Sequence, residues 1–202
     1  MKISDDLEKL LPFGYLFLIL MGILKDSIFY YQLGINILKY STITDVLMSP
    51  ISEFTSNPVI LATIISLFII HINLPTFLAK HYKKRYVQKM FELKPTTDLT
   101  TKETQSYYNL IAIKSLAVIL LSFFLGYGMA GGYFIKKDIA KNAIKYDSKL
   151  YFNEDKPEQV FLINSNSLYY FYLKQGSDAI QIAPLGSVKN IEIPQSKGFF
   201  HR

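Results

Sequence analysis

The sequence contains no cysteine. Disulfides, thiolate catalysis and metal sites with cysteine ligands are therefore excluded, although this absence does not identify the cellular compartment. Charged residues are also scarce, at 19% of the chain, compared with about a quarter in typical domains. Half of the residues are apolar, and they are concentrated in a few long runs. The composition therefore favours a membrane protein.

The sequence also lacks the common catalytic motifs. It has no HExxH, GxSxG, P-loop or GxGxxG pattern. Its three histidines, His71, His81 and His201, do not lie at ligand spacing from one another, and the acidic residues are scattered. We therefore expect no enzyme activity, no cofactor and no metal site.

Three apolar runs are long enough to cross a membrane, which takes about 20 residues for about 30 Å of hydrocarbon. They cover residues 10–31, 58–79 and 110–135. The first run is free of charge until Lys25 and Asp26, which are followed by aromatic residues. That order is typical of a helix leaving the bilayer through an aromatic belt. The sequence therefore predicts three transmembrane helices.

Capping residues predict where the helices begin and end. Thr100 and Glu103 have capping-box spacing, so we expect the third helix to start near Thr101 and to continue to about Tyr146. Pro58 suits the first turn of the second helix. This helix is expected to continue beyond the membrane until Lys94 and Pro95 stop it.

A short amphipathic segment, residues 42–55, lies between the first two runs. Ser41 or Thr42 can cap a helix there. The apolar residues that fall on one face of this helix are Ile43, Val46, Leu47, Ile51 and Phe54. This pattern is typical of a helix lying on the membrane surface. A packed extracellular loop is the alternative.

Basic residues are unevenly distributed between the two connecting loops. Residues 80–107 include Lys80, Lys83, Lys84 and Arg85, whereas residues 33–57 contain only Lys39. Because positive residues favour the cytoplasmic side, we place the N-terminus and residues 80–107 inside. Three crossings then place the C-terminus outside.

Four lysines oppose this orientation. They are Lys136, Lys137, Lys141 and Lys145, which follow the third run and would favour the inside. A C-terminus inside would require the first run to form a hairpin, or residues 33–57 to cross the membrane as well.

Lys80, Lys83, Lys84 and Arg85, which we call the basic cluster, are expected to contact anionic lipid as well as to determine topology. The formal charge of +6 would also suit nucleic acid, but no other feature supports that partner. We therefore expect the bilayer, and no nucleic acid, as the partner of this cluster.

Polar residues interrupt two of the runs. His71 and Asn73 lie near the middle of the second run, and Pro75 frees a backbone carbonyl near residue 71. His71 and Asn73 either line a proton or ion route, or form hydrogen bonds to neighbouring helices that stabilise the packing by about 1 kcal/mol per bond. Lys25 and Asp26 are either interfacial or, if the first helix extends to Tyr31 within lipid, an intramembrane pair and a candidate gate.

Small residues form two stripes in the third run. Ser122, Gly126 and Ala130 recur every four residues, and Gly128 and Gly132 form a second pair on roughly the opposite face. Small residues let helix backbones approach closely. The two stripes therefore predict two helix contacts, one within the subunit and one across an oligomer, and Gly128→Leu is expected to disrupt assembly.

A change of hydrophobic period predicts a β unit at residues 148–202. Strands are expected near residues 149–153, 159–164, 167–174, 179–183 and 188–193. Both faces of the strand from Leu168 to Leu173 are apolar, so both must be covered. Because a unit of this size has little core of its own, it should pack on the membrane domain, residues 1–147, on another copy or on a partner.

The run from Phe13 to Ile51 resembles the opening of small bacterial integral membrane proteins whose activity is uncharacterised. They share an aromatic-flanked first span, a G-I-N/D-I-L-x-Y segment and an Asp-x-Leu-x-Ser-Pro turn. The matching positions are Gly34, Ile35, Asn36, Ile37, Leu38, Tyr40, Asp45, Leu47, Ser49 and Pro50. Their small C-terminal β unit is matched more loosely by Ser167, Tyr170, Phe171, Ala183 and Pro184. The resemblance implies a fold and no activity.

These features predict a mostly α membrane protein with three transmembrane helices, one interfacial helix and a small C-terminal antiparallel β unit. The function we expect is that of an oligomeric pore or channel-like effector in the bacterial cytoplasmic membrane, gated by the β unit. This expectation rests partly on architectural analogy with bacterial membrane effectors. The alternative is a non-conducting scaffold or accessory subunit that binds a protein partner through the β unit.

Overall fold

The computed structural model describes residues 3–95, 99–152 and 156–194, with side chains described from Pro12 onwards. His201 lies outside this part of the chain. The predicted fold class is confirmed: the protein is mostly helical, with three helices long and apolar enough to cross a membrane and a C-terminal five-stranded antiparallel sheet. These helices are consistent with a multi-pass membrane protein.

In the part of the chain that the structure describes, five α-helices precede the sheet. They are α1 (Ile3–Gln32), α2 (Ile43–Ser56), α3 (Pro58–His81), α4 (Arg85–Phe91) and α5 (Thr101–Ala140). The segments long and apolar enough to span a membrane are Pro12–Gln32 in α1, the whole of α3, and α5. A short 3-10 helix, Ile37–Lys39, lies between α1 and α2.

Side-chain caps determine where three of these helices start. The Asn57 side chain accepts hydrogen bonds from the amides of Val59 and Ile60, with Pro58 in the first turn of α3. The predicted capping box of α5 is confirmed, because Thr100 Oγ1 accepts from the Glu103 amide and Glu103 Oε2 accepts from the Thr100 amide. A similar reciprocal pair caps α2.

The prediction that the second helix continues to Lys94 is wrong. Helix α3 ends at His81, Lys84 is extended with a ψ of 124°, and α4 then begins as a separate helix. The break allows Val87 of α4 to turn back and become fully buried in a cluster that contains Leu78 and Tyr108. Burial of this apolar side chain outweighs the local preference for a continuous helix.

The prediction that the third helix reaches Tyr146 is also wrong. Helix α5 ends at Ala140, and Asn142 adopts a left-handed conformation with a φ of +51°. The amide of Ala143 then donates to the carbonyl of Asp138 at 2.9 Å, which is the 6→1 bond of a Schellman motif. Asparagine tolerates this conformation better than most residues, so it stops the helix here.

The chain divides into two compact units: residues 50–124, and residues 1–49 together with 125–202. In the unit of residues 50–124, α3 runs antiparallel to the first part of α5. Its core contains Leu74, Leu78, Val87, Tyr108 and Ala112.

In the other unit, α1 runs parallel to the second part of α5. The backbones meet at Gly128, where an added Cβ atom would lie 2.4 Å from the carbonyl oxygen of Lys25, and at Gly132, where it would lie 2.6 Å from that of Phe29. Both glycines are buried. Glycine is required because any side chain would separate the helices.

The sheet of this unit has the strand order β4-β3-β2-β1-β5. Its strands are β1 (Ser148–Phe152), β2 (Glu158–Ser165), β3 (Tyr169–Lys174), β4 (Ile180–Pro184) and β5 (Val188–Glu192). The first four strands form a meander, and a 3-10 helix at Leu185–Ser187 precedes β5, which pairs with β1. All five predicted strands are present within one or two residues.

Both faces of β3 are covered, as its sequence predicts. Tyr172 packs on one face in a cluster with Leu150 and Val160. Phe171 packs on the other face in a cluster with Tyr30 of α1 and Ile37 of the 3-10 helix. The β unit therefore packs on the end of α1 and on the segment that follows it.

Candidate functional site

A buried cluster of charged and polar side chains lies between α1 and α2. Lys25 is only 6% exposed, and its Nζ atom donates to Ser49 Oγ at 2.9 Å and lies 3.3 Å from Asp26 Oδ1. Ser49 Oγ in turn donates to the same Asp26 oxygen at 2.8 Å. Lys25, Asp26 and Ser49, which we call the charged cluster, therefore contact one another through their polar atoms.

The close approach of the two helices brings this cluster together. Gly22 lies one turn before Lys25, and a Cβ atom added to it would lie 1.9 Å from the carbonyl oxygen of Val46. Because only glycine fits this contact, the α1 backbone lies directly against α2. Ser49, one turn after Val46, then reaches both charged side chains of α1.

The charged cluster lies within the part of α1 that is long and apolar enough to cross a membrane. A charge in such a segment is costly unless it is paired and hydrogen-bonded. Lys25 and Asp26 satisfy this requirement through each other and through the Ser49 hydroxyl. The pair therefore depends on α2, and a displacement of α2 would remove its bridging group.

A second polar contact ties the start of α2 to the sheet. The carboxylate of Asp45 accepts from the Thr42 amide and hydroxyl at 2.8 and 2.7 Å, and from the Ser167 amide and hydroxyl at 3.0 Å each. Burial raises the pKa of Asp45, but the hydrogen bonds from Thr42 and Ser167 outweigh it, so its pKa lies below the ordinary value.

Asn166 reinforces this contact. Its Nδ2 atom donates to the carbonyl oxygen of Tyr40 at 2.9 Å. Its Oδ1 atom accepts from the amides of Leu168 and Tyr169, which closes the turn between β2 and β3. The turn is thus held by its own asparagine, and the same side chain anchors it to the segment before α2.

Aromatic rings fill the space beside these polar contacts. The ring of Phe171 lies 5.0 Å from that of Tyr30 and 6.3 Å from that of Tyr40. Tyr40 also meets Tyr169 edge to face at 5.6 Å. Aromatic pairs at these separations add to the free energy gained from burial, so the β unit is attached by both apolar and polar contacts.

His71 and Asn73 are not brought together by the fold. His71 is 7% exposed, and its Nδ1 and Nε2 atoms lie 2.8 Å from the Leu67 carbonyl oxygen and 3.3 Å from Ser115 Oγ of α5. Asn73 is exposed and donates to the Ile69 carbonyl of its own helix. Only His71 therefore reaches a neighbouring helix.

The two small-residue stripes of α5 have different surroundings. Gly128 and Gly132 are buried against α1, whereas Ser122, Gly126 and Ala130 are exposed. No atom lies within 4 Å of a Cβ built on Gly126. The pair Gly128 and Gly132 is thus the helix contact within the subunit.

The basic cluster lies at the end of α3 and the start of α4. Lys80, Lys83, Lys84 and Arg85 are all exposed. The ammonium groups of Lys83 and Lys84 lie 5.7 and 5.8 Å from the ring centres of Tyr82 and Tyr86. Tyrosines next to lysines are common where a helix leaves the bilayer.

Sequence reasoning identified Lys25 and Asp26 but assigned no role to Ser49 or Asp45. Both belong to the Asp-x-Leu-x-Ser-Pro turn, and that motif is the feature of the sequence that could have identified them. Among the described residues, no group of three or more His, Asp or Glu side chains is placed to hold a metal ion. The chain matches no protein-family model, no curated protein and no solved structure.

Proposed function

We propose that the protein is an oligomeric, channel-like integral membrane protein whose β unit controls the conformation of the charged cluster. The observation that carries this proposal is the position of α2 between the two. Asp45 and Ser49 lie one turn apart on the same helix; Asp45 holds the sheet through Ser167, and Ser49 bridges Lys25 and Asp26.

Rigid coupling along this turn supports a gating role. Asp45, Val46 and Ser49, which we call the α2 link, each contact a different part of the unit: the sheet, the α1 backbone and the charged cluster. A helix turn transmits displacement because its backbone is hydrogen-bonded throughout. A partner or stimulus that pulls on the β unit would therefore move Ser49 away from Lys25 and Asp26.

The parallel arrangement of α1 and α5 supports an orientation. Both helices end on the side where the β unit contacts Tyr30 and Ile37. Helix α1 is continuous from Ile3 to Gln32, which argues against a hairpin. With the basic cluster inside, residues 33–57 and the β unit lie outside.

The exposed stripe of α5 supports the oligomer. Ser122, Gly126 and Ala130 leave an open strip along a helix that is apolar enough to span a membrane. In lipid, such strips favour close packing of a second helix. A second copy on this face would assemble several helices around one axis.

A non-conducting scaffold is the second candidate, and the sheet edges favour it. Strands β4 and β5 each pair on one side only among the described residues. An unpaired edge can accept a strand from a partner protein. A stable complex with a second protein, purified without any ion flux, would support this function.

Ion flux into sealed vesicles tests the channel. Wild type, Asp45→Asn and a Lys25→Met/Asp26→Leu double variant are reconstituted at equal density, with Asp178→Asn, an exposed acid on the β3–β4 turn, as the control. We expect Asp45→Asn and the double variant to change the flux, and Asp178→Asn to match wild type. Flux equal to that of protein-free vesicles from every variant would contradict a channel.

A further inference from the structure

An apolar groove runs between α3 and α5 within the unit of residues 50–124. Its volume is about 280 Å³. The lining residues are Phe68, His71, Ile72, Pro75, Asn109, Ala112, Ile113 and Leu116. We call this cleft the α3–α5 groove.

The chemistry of the groove suits a hydrocarbon chain. Six of its lining residues are apolar, while both ring nitrogens of His71 already lie near Leu67 and Ser115. Asn109 is the other polar residue, and its amide oxygen accepts from Gln105. Since six of the eight lining residues are apolar and both His71 ring nitrogens have partners, an occupant gains mainly from apolar contact.

The basic cluster lies at the right distance for a charged headgroup. Lys80 follows Pro75 by five residues on α3, which corresponds to about 7.5 Å along a helix. Lys83, Lys84 and Arg85 follow at the turn into α4 and are exposed. A phospholipid whose phosphate meets this cluster would have its acyl chain level with the groove.

We propose that the α3–α5 groove and the basic cluster together form a binding site for one anionic phospholipid. The acyl chain occupies the groove, and the negatively charged headgroup contacts Lys80, Lys83, Lys84 and Arg85. Charge complementarity selects an anionic lipid over a zwitterionic one, because each basic residue near the membrane surface attracts anionic headgroups. The site does not depend on whether the protein conducts ions.

Tryptophan fluorescence tests the site directly. The chain contains no tryptophan, so Phe68→Trp introduces a single reporter into the groove wall. The protein is reconstituted into vesicles of equimolar phosphatidylglycerol and phosphatidylcholine, with the acyl chains of one lipid or the other brominated to quench nearby tryptophan. Ile70→Trp is the matched control, because Ile70 lies on the same helix, is 58% exposed and does not line the groove.

If an anionic lipid is bound in the groove, quenching should prefer the anionic lipid at Phe68→Trp and not at Ile70→Trp. Quenching of Phe68→Trp should favour brominated phosphatidylglycerol by about fivefold, which corresponds to about 1 kcal/mol, whereas Ile70→Trp should be quenched equally by both lipids. The same preference at both positions would mean a non-selective lipid annulus and would overturn the proposal. No quenching of Phe68→Trp by either lipid would mean that another helix covers the groove, and would overturn it as well.

Charge variants separate the headgroup from the acyl chain. Replacing the four residues of the basic cluster by glutamine in the Phe68→Trp background should abolish the preference while quenching by both lipids persists. The control replaces Lys136, Lys137, Lys141 and Lys145, which are also exposed, and should retain the preference. The site would be refuted if the preference for phosphatidylglycerol survived in the basic-cluster variant and disappeared in the control. That result would assign the selectivity to Lys136, Lys137, Lys141 and Lys145.

Discussion

Asp45 and Ser167 are 122 positions apart in the sequence, and the Asp45 carboxylate accepts hydrogen bonds from both the amide and the hydroxyl of Ser167. The first residue belongs to the first turn of α2, and the second to the turn between β2 and β3. This contact joins the sheet to the helix that also carries Ser49. The attachment of the β unit is therefore specific in its geometry as well as apolar.

Asp45→Asn should loosen this attachment without unfolding the sheet. An amide lacks the negative charge that strengthens the hydrogen bonds from Thr42 and Ser167. We expect the contact to lose about 1 kcal/mol of free energy, which is low for hydrogen bonds to a charged group because the site is partly exposed. Hydrogen exchange at the Ser167 amide measures this loss, and the exchange rate in Asp45→Asn should be higher than in wild type by up to about fivefold. Amides of β1 should be unaffected, and Asp178→Asn should behave as wild type.

The same contact predicts a loss of stability in acid. The pKa of Asp45 is lower in the folded protein than its ordinary value, because hydrogen bonds from Thr42 and Ser167 outweigh the effect of burial. A carboxyl group with a depressed folded pKa contributes stability above its unfolded pKa, and that contribution disappears as the pH falls through the folded value.

Unfolding midpoints in detergent between pH 7 and pH 3, compared for wild type and Asp45→Asn, measure this effect. The difference between the two proteins should be constant at pH values well above the ordinary pKa of an aspartate, and it should shrink as the pH falls from that ordinary pKa through the lower pKa of the folded protein. A difference that stays constant throughout would show that the charge of Asp45 does not stabilise the contact.

Local sequence signals were sufficient to predict much of this fold. Reciprocal pairs such as Thr100 and Glu103 identify a helix start because both partners lie within one turn. The apolar residues on both faces of Leu168–Leu173 predicted that both faces of β3 would be covered, since exposing either apolar face to water would be unfavourable. In each case the physical cause lies within a few residues.

The features that the sequence did not predict are those determined by tertiary contacts. Nothing in the residues near Lys84 stops a helix as strongly as the burial of Val87 against Leu78, which lies on the preceding helix. Ser49 is one serine among many until the approach of Gly22 to Val46 places it beside Lys25. Partners that are distant in sequence determine these features, and a single sequence carries no direct signal for them.

Two neighbouring glycines of α5 should respond differently to the same substitution. Gly128→Leu places a side chain against the α1 backbone and should destabilise the subunit by about 3 kcal/mol, at the upper end for overpacking. A Cβ atom added at Gly126 meets nothing within 4 Å and this position is exposed, so we expect the subunit to keep its stability in Gly126→Leu. If the exposed stripe joins copies, Gly126→Leu should instead lower the oligomer mass measured in mild detergent.

Thermal unfolding and native mass spectrometry, applied to both variants, separate the fold from the assembly. An oligomer that is intact in Gly126→Leu would remove the exposed stripe from the interface. A stable monomeric subunit in Gly128→Leu would contradict the close α1–α5 contact instead.

The charged cluster should show strong coupling between its two ions. Lys25→Met deprives Asp26 of its ammonium partner, and Asp26→Leu deprives Lys25 of its carboxylate partner, so each single variant should lose about 3 to 5 kcal/mol. The double variant removes both buried charges and should recover most of that loss, because no ion then has to be desolvated. A double-mutant cycle of unfolding free energies in detergent measures the coupling. Ser49→Ala, which removes only the bridging hydroxyl, should cost less than either single change. Losses that simply add in the double variant would show that the two charges do not stabilise each other.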